Sequence, residues 1–191
     1  MLRSTLASLY FSAKMHEKAI KIYDDILKDD PKDERALTGR GDAKLNAGNH
    51  AEAVADYEAA LALNEEDDHI LNNLAWVLST SPEDDVRDGK RALELALLAA
   101  ETTDYKVAHV LSTLAAAYAE SGDFENAVKW SEKSIELADE GRQKDDLMEE
   151  LATLKSGQPI RENEAEDGEE EKGSDDKASD NAETSESDDG Q

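Results

Sequence analysis

The chain has 191 residues, with 47 acidic and 21 basic side chains, a formal net charge of −26 and no cysteine. The lack of cysteine excludes disulfide staples, thiolate zinc sites and cysteine nucleophiles. The charge argues against non-specific binding to nucleic acid or anionic lipid. No run approaches the roughly 18 apolar residues of a membrane span. The opening Met1-Leu2-Arg3-Ser4 has no apolar stretch behind it of the kind a signal peptide needs, so a cytoplasmic chain is expected.

The charge is unevenly spread. Residues 162–191 hold 14 acidic and 2 basic residues, a net of −12, with no aromatic residue and no Leu, Ile or Val. Such a stretch buries too little apolar surface to offset the entropy of ordering, so 157–191 is expected to be a disordered acidic tail. Gly157-Gln158-Pro159 punctuates the end of the last helical pattern. Residues 1–156 are then one folded domain, long enough for a core of ordinary size.

Small residues recur at Ala7, Gly41, Ala75 and Ala115, and again at Ala19, Ala53, Ala92 and Ala127. Both series repeat at about 34 to 40 residues, the period of a helical array. Apolar spacing inside each unit is helical: Leu71, Leu74, Ala75 and Leu78 fall at i, i+3, i+4 and i+7, and Leu111, Leu114, Ala115 and Tyr118 repeat the pattern. In chain order the spacing predicts helices over about 2–13 and 16–29, 34–47 and 50–63, 67–80 and 88–102, and 106–121 and 124–138. A ninth, over 142–155, carries Leu147, Leu151 and Leu154 on one stripe, with Asp145, Glu149 and Glu150 on a face expected to be solvated. The repeats run about 1–33, 34–67, 68–107 and 108–141. Period-2 alternation is nowhere sustained, so no strand is expected. Gly48 and Gly122 mark turns that need positive φ, and Lys14 stands at the corresponding place in the first unit. Arg40 and Lys44 take places where neighbouring units carry leucine or tyrosine, which predicts somewhat looser packing there. About five extra residues fall within Ser81 to Gly89, between the two helices of the third unit, and read either as a longer surface loop or as a partner-binding lobe.

The segments Gly41 to Asn64 and Leu114 to Ala138 resemble the tetratricopeptide repeat (TPR) family, whose unit is a 34-residue helix–turn–helix with small residues where the helices cross and an aromatic residue further along the second helix. The resemblance covers roughly residues 1–139. The run from Leu71 to Thr103 and the stretch LKSGQPIRE look like a recurrent bacterial subtype. The resemblance implies an all-α fold, a right-handed superhelix of four repeats closed by a C-terminal capping helix and followed by the tail. Stacked units bury a shared core that one pair cannot bury alone. Tyr23, Tyr57 and Trp130 are expected to fill the wedges, each ring burying about 150–250 Å².

In TPR arrays the first helices of the units line a concave groove. The resemblance places Ser4 and Ser8, then Arg35, Thr38, Asp42 and Leu45, then His69, Asn72, Asn73 and Trp76, then His109, Ser112 and Ala116 on that inner face. Arg35, His69 and His109 occupy corresponding places in successive units. They would offer donors to an extended peptide, Asn72 and Asn73 could bond its backbone, and Trp76 could supply apolar contact. Each has a plainer reading: solvated surface for Arg35, His69 and His109, and packing beneath the inserted loop for Trp76. The lysines and arginine of the family's chaperone carboxylate clamp are absent from the matching positions Ser4, Ser8, His69, Asn73 and Thr113.

No HExxH pair, GxSxG turn, phosphate loop, dinucleotide fingerprint or calcium-loop order is present. The sequence therefore reads as a non-catalytic, cofactor-free, metal-free monomeric scaffold. Its groove would bind a peptide or helical segment of a protein partner, with Arg35, Asp42, His69, Asn72, Asn73, Trp76 and His109 as the candidate groove residues. The alternative is an acidic, chaperone-like assembly module that binds basic proteins through the tail.

Overall fold

The computed structural model describes residues 2–162. The acidic stretch from 163 onward, expected to be disordered, lies outside the described residues. Among these residues the secondary structure is all helical: α1 Leu2–Ser12, α2 His16–Asp29, α3 Glu34–Asn46, α4 His50–Leu61, α5 Asp68–Thr80, α6 Gly89–Thr102, α7 Ala108–Glu120, α8 Phe124–Leu137 and α9 Arg142–Lys155. Helices pair as α1/α2, α3/α4, α5/α6 and α7/α8. Each pair stacks on the next through the second helix of one and the first helix of its neighbour, and α9 packs on α8. The first helices also touch one another, α1 with α3 and α5 with α7, so they share one face of the solenoid.

The helix boundaries follow from local chemistry. Asp33, Asp67, Asp88 and Asp123 each accept a hydrogen bond from the backbone N–H three residues on, satisfying a donor that the helix start leaves free. Three of the four turns inside the units share one hydrogen-bond pattern. Gly48 N–H donates to Leu45 O at 2.9 Å and Asn49 N–H to Lys44 O at 2.8 Å. Gly122 and Asp123 repeat it on Ala119 and Tyr118, as do Lys14 and Met15 on Phe11 and Tyr10. The residue at the crest is left-handed in all three, with φ of +81° at Gly48, +86° at Gly122 and +59° at Lys14. The third unit departs because its turn is replaced by the 81–88 loop. Arg87 ties that loop down, donating to Ser81 O at 2.7 Å, to Glu120 Oε1 at 3.0 Å and to Asp84.

The two alanine series lie at helix crossings: Ala7, Ala19, Ala53, Ala75, Ala92, Ala115 and Ala127 are fully buried. Gly41, their counterpart, faces a ring. A Cβ there would stand 2.8 Å from Tyr57 Cε1, and one on Gly39 would stand 2.5 Å from Tyr23 Cζ. Tyr23 and Tyr57 thus fill the wedges as expected. Trp130 is only half-buried and stacks on Tyr105, with ring centroids 5.3 Å apart.

Arg40 and Lys44 do not loosen the first two units. Arg40 forks onto Asp56 at 2.8 and 2.6 Å and reaches Asp24 at 2.6 Å, while Lys44 pairs with Asp56 at 3.0 Å and Glu52 at 3.1 Å. One ionic network therefore joins α2, α3 and α4 where other units use apolar side chains. At the array's start, Leu2, Leu6 and Leu9 are exposed on α1. At its end, α9 buries Leu147 and Leu154. Glu150 departs from the expectation of a solvated face: its Oε2 accepts from Ser112 Oγ at 2.5 Å across to α7, and burial raises its pKa.

The described chain also continues in packed form past residue 156, where the sequence places the start of the tail. At the end of α9, Gly157 has φ +75°, and the N–H groups of Gly157 and Gln158 close onto Leu154 O and Thr153 O. This is the same turn that elsewhere launches the second helix of a unit. Here Pro159 follows, which disfavours helix at the residue before it, and residues 157–162 run as an extended strap onto α7 and α5.

Candidate functional site

The face shared by the first helices carries the sequence-predicted residues in three groups. Arg35, His69 and His109 are each the second residue of α3, α5 and α7 respectively, and all three are exposed. Desolvation, together with the like charge of His69, lowers the His109 pKa, and the Asp68 carboxylate opposes that fall.

Asp42, Asn72 and Asn73 form the second group. Asp42 Oδ1 accepts from the buried Tyr57 hydroxyl at 2.7 Å and from Asn73 Nδ2 at 3.0 Å. Asn73 Oδ1 in turn accepts from Asn72 Nδ2 at 3.3 Å. Burial raises the Asp42 carboxyl's pKa, and the two donors and the charge of His69 oppose that rise. Burial and the neighbouring Asp42 carboxylate raise the Tyr57 phenol as well. The chain of bonds fixes Asn73 across the seam between the second and third units. It leaves Asn72 Oδ1 buried without a partner in the protein, an acceptor whose desolvation costs about 1–3 kcal/mol until something donates to it.

Trp76 belongs to the third group, and neither of its two expected surroundings describes it fully. It packs with Ile160 against Ala115, Ala116, Ala119 and Leu154, and its Nε1–H donates to Glu162 Oε1 at 2.7 Å. The groove at this level is therefore occupied by the strap. Glu162 N–H donates to Thr80 O at 2.9 Å, and its second carboxylate oxygen lies 3.6 Å from Nδ1 of the buried His50 on α4. Arg161 donates to Ser79 O at 3.2 Å and pairs with Glu120 Oε2 at 2.7 Å. Glu120 thereby joins the strap to Arg87 of the inserted loop.

His50, Glu120, Ile160, Arg161 and Glu162 were not singled out by sequence reasoning. The available signal was slight: Ile160 and Arg161 are the one aliphatic and the one guanidinium side chain beyond Gly157. No group of three or more metal-ligating side chains comes together among the described residues. No described helix is long and apolar enough to cross a membrane.

Family models described as tetratricopeptide repeat match residues 5–33, 38–79 and 108–140. Residues 80–107, with the inserted loop and α6, fall between them. No curated protein matches the chain. Among solved structures the chain is similar to PilW, a widely conserved type IV pilus biogenesis factor, at 21% identity and a TM-score of 0.69, covering 81% of this chain and 68% of that one. It is similar to PilF of Pseudomonas aeruginosa at 21% identity and a TM-score of 0.65, covering 80% and 66% of the two chains. It is also similar to MamA from Desulfovibrio magneticus RS-1 (residues 41 to the end) at 16% identity and a TM-score of 0.63, covering 82% and 89%. At these identities the likeness is one of fold.

Proposed function

The chain belongs to the tetratricopeptide repeat family, and from that premise we propose that it is a non-catalytic scaffold that binds an extended or helical segment of a partner protein along the face of α3, α5 and α7. The reading is supported by a rigid all-helical array whose inner face presents side chains with unspent hydrogen-bonding capacity. The observation that carries it is the Asp42–Asn73–Asn72 chain. Anchored on Tyr57 and Asn72, it holds the half-buried Asn73 amide in one orientation, pre-organised to meet a ligand backbone. Arg35, His69 and His109 supply the exposed rim, and Trp76 supplies apolar contact beside them. In this reading the chain acts as a monomer on a protein partner, and its negative charge disfavours nucleic acid.

A random-peptide display library selected on the full chain tests this. Enriched peptides should bind the native chain and lose about tenfold or more in affinity on Asn73→Ala, a cost of at least about 1.4 kcal/mol. They should be indifferent to Lys133→Ala on α8. Peptides insensitive to Asn73 and to Trp76 would place binding elsewhere.

The acidic stretch supports a second reading, as a dock for basic proteins. It begins at Glu162, which is held in the same groove. Binding of that kind should weaken steeply between low and physiological salt and vanish on deleting 163–191, whereas groove binding should survive both.

A further inference from the structure

The strap is held by side chains and backbone groups of α4, α5, α7 and α9. Ile160 is buried in one apolar cluster with Ala115, Ala116, Ala119 and Leu154, against which Trp76 also packs. Arg161 is read by a carboxylate, Glu120, and by the free carbonyl of Ser79 at the end of α5. Glu162 is read twice: its backbone N–H donates to Thr80 O, and its carboxylate accepts from the Trp76 indole N–H. His50 is almost fully buried, and its Nδ1 has no hydrogen-bond partner of its own; it points at the Glu162 carboxylate from 3.6 Å. The subsite therefore combines an apolar contact, a carboxylate and an indole donor, arranged along one extended tripeptide. Gly157 and Pro159 turn the chain out of α9 and keep it from continuing as helix.

We propose that residues 160–162 are a tethered occupant of a peptide subsite, and that the same subsite takes from a partner an extended segment presenting an aliphatic side chain, an arginine and a carboxylate in that order. This rests on the groove reading above and deepens it by naming the ligand chemistry. The strap competes with that segment. A flexible tether of a few residues gives an effective concentration of about 1 mM. A free segment that binds the open subsite with a dissociation constant of about 0.1 mM would therefore bind the native chain roughly tenfold more weakly.

The test uses a fluorescein-labelled, C-terminally amidated peptide of residues 156–162, titrated into the full native chain and into the full chain carrying Ile160→Ser and Arg161→Glu. A second full-length variant, Arg161→Gln with Glu162→Gln, removes the two charges but keeps Ile160, so it stays informative if loss of Ile160 destabilises the array. Both variants should bind the peptide more tightly than the native chain, the first by about tenfold. Adding Trp76→Phe should then weaken binding, because phenylalanine keeps the ring but has no N–H to donate. Equal affinity in all three chains, or no binding by a variant whose helical signal is intact, would overturn the proposal. So would a native dimer that falls to monomer in the first variant, because the strap would then belong to a second copy. If this peptide fails while library-selected peptides still depend on Asn73, only the present inference falls. If both fail, the groove reading falls with it.

Discussion

Replacing Arg40 with methionine probes the ionic network that joins α2, α3 and α4. Its guanidinium makes three contacts of 2.6 to 2.8 Å, two on Asp56 and one on Asp24. The Asp56 side chain is 6% exposed and that of Arg40 20%, so the pair is well shielded from water. Methionine fills much of the same volume but leaves Asp56 ionised and buried, with Lys44 at 3.0 Å as its remaining partner. Breaking such a pair from one side costs about 3–5 kcal/mol; with Lys44 still present, about 3 kcal/mol is expected. The loss should be local, because in a linear array each unit contacts only its neighbours. Urea unfolding followed by helical circular dichroism gives the magnitude, and native-state hydrogen exchange gives its place, with α1 and α2 losing protection before α7 and α8. Changing both residues, Arg40→Met with Asp56→Leu, should restore most of the stability, since an apolar pair of similar volume needs no charge partner and Lys44 keeps Glu52. A loss below about 1 kcal/mol for Arg40→Met, or one spread evenly over the array, would refute the reasoning.

Gly41→Ala should cost about 2 kcal/mol, because the new methyl meets the fully buried ring of Tyr57; combined with Tyr57→Leu it should cost less than the sum of the two, as measured by denaturant midpoints. Lys14→Gly should stabilise by about 0.5 kcal/mol in the same assay, relief of the left-handed backbone slightly exceeding the entropy of the added glycine. Asp42 and Glu150 have raised pKa values, so between their unfolded and folded values the native state holds more protons than the unfolded one, and stability falls as pH rises through that window. Melting temperatures should therefore fall as pH rises from the ordinary carboxylate range through that window. Glu150→Gln should flatten part of that slope, and an unchanged slope would remove Glu150 from the account.

The apolar period of 3.6, the interleaved alanines and the Gly48 and Gly122 turns made the helix pairs readable because they are local signals: each depends on neighbours within one or two turns of helix. The aspartates that cap four helix starts in the structure act over the same short range. Misreadings arose where a side chain's partner lies on another helix. Arg40 and Lys44 looked like weak points until Asp24, Asp56 and Glu52 were brought beside them, and Glu150 looked solvated until α9 met Ser112.

The amino-acid sequence by itself determined that this chain is a tandem array of helix pairs, since spacing and small residues suffice for that. Which polar groups face one another across the units, and that residues 157–162 double back to lie on Trp76 and His50, was decided only by the tertiary structure. The physical reason is distance along the chain: Glu162 is 86 residues from Trp76, and no local propensity can report a contact that forms only once the helices between them have stacked.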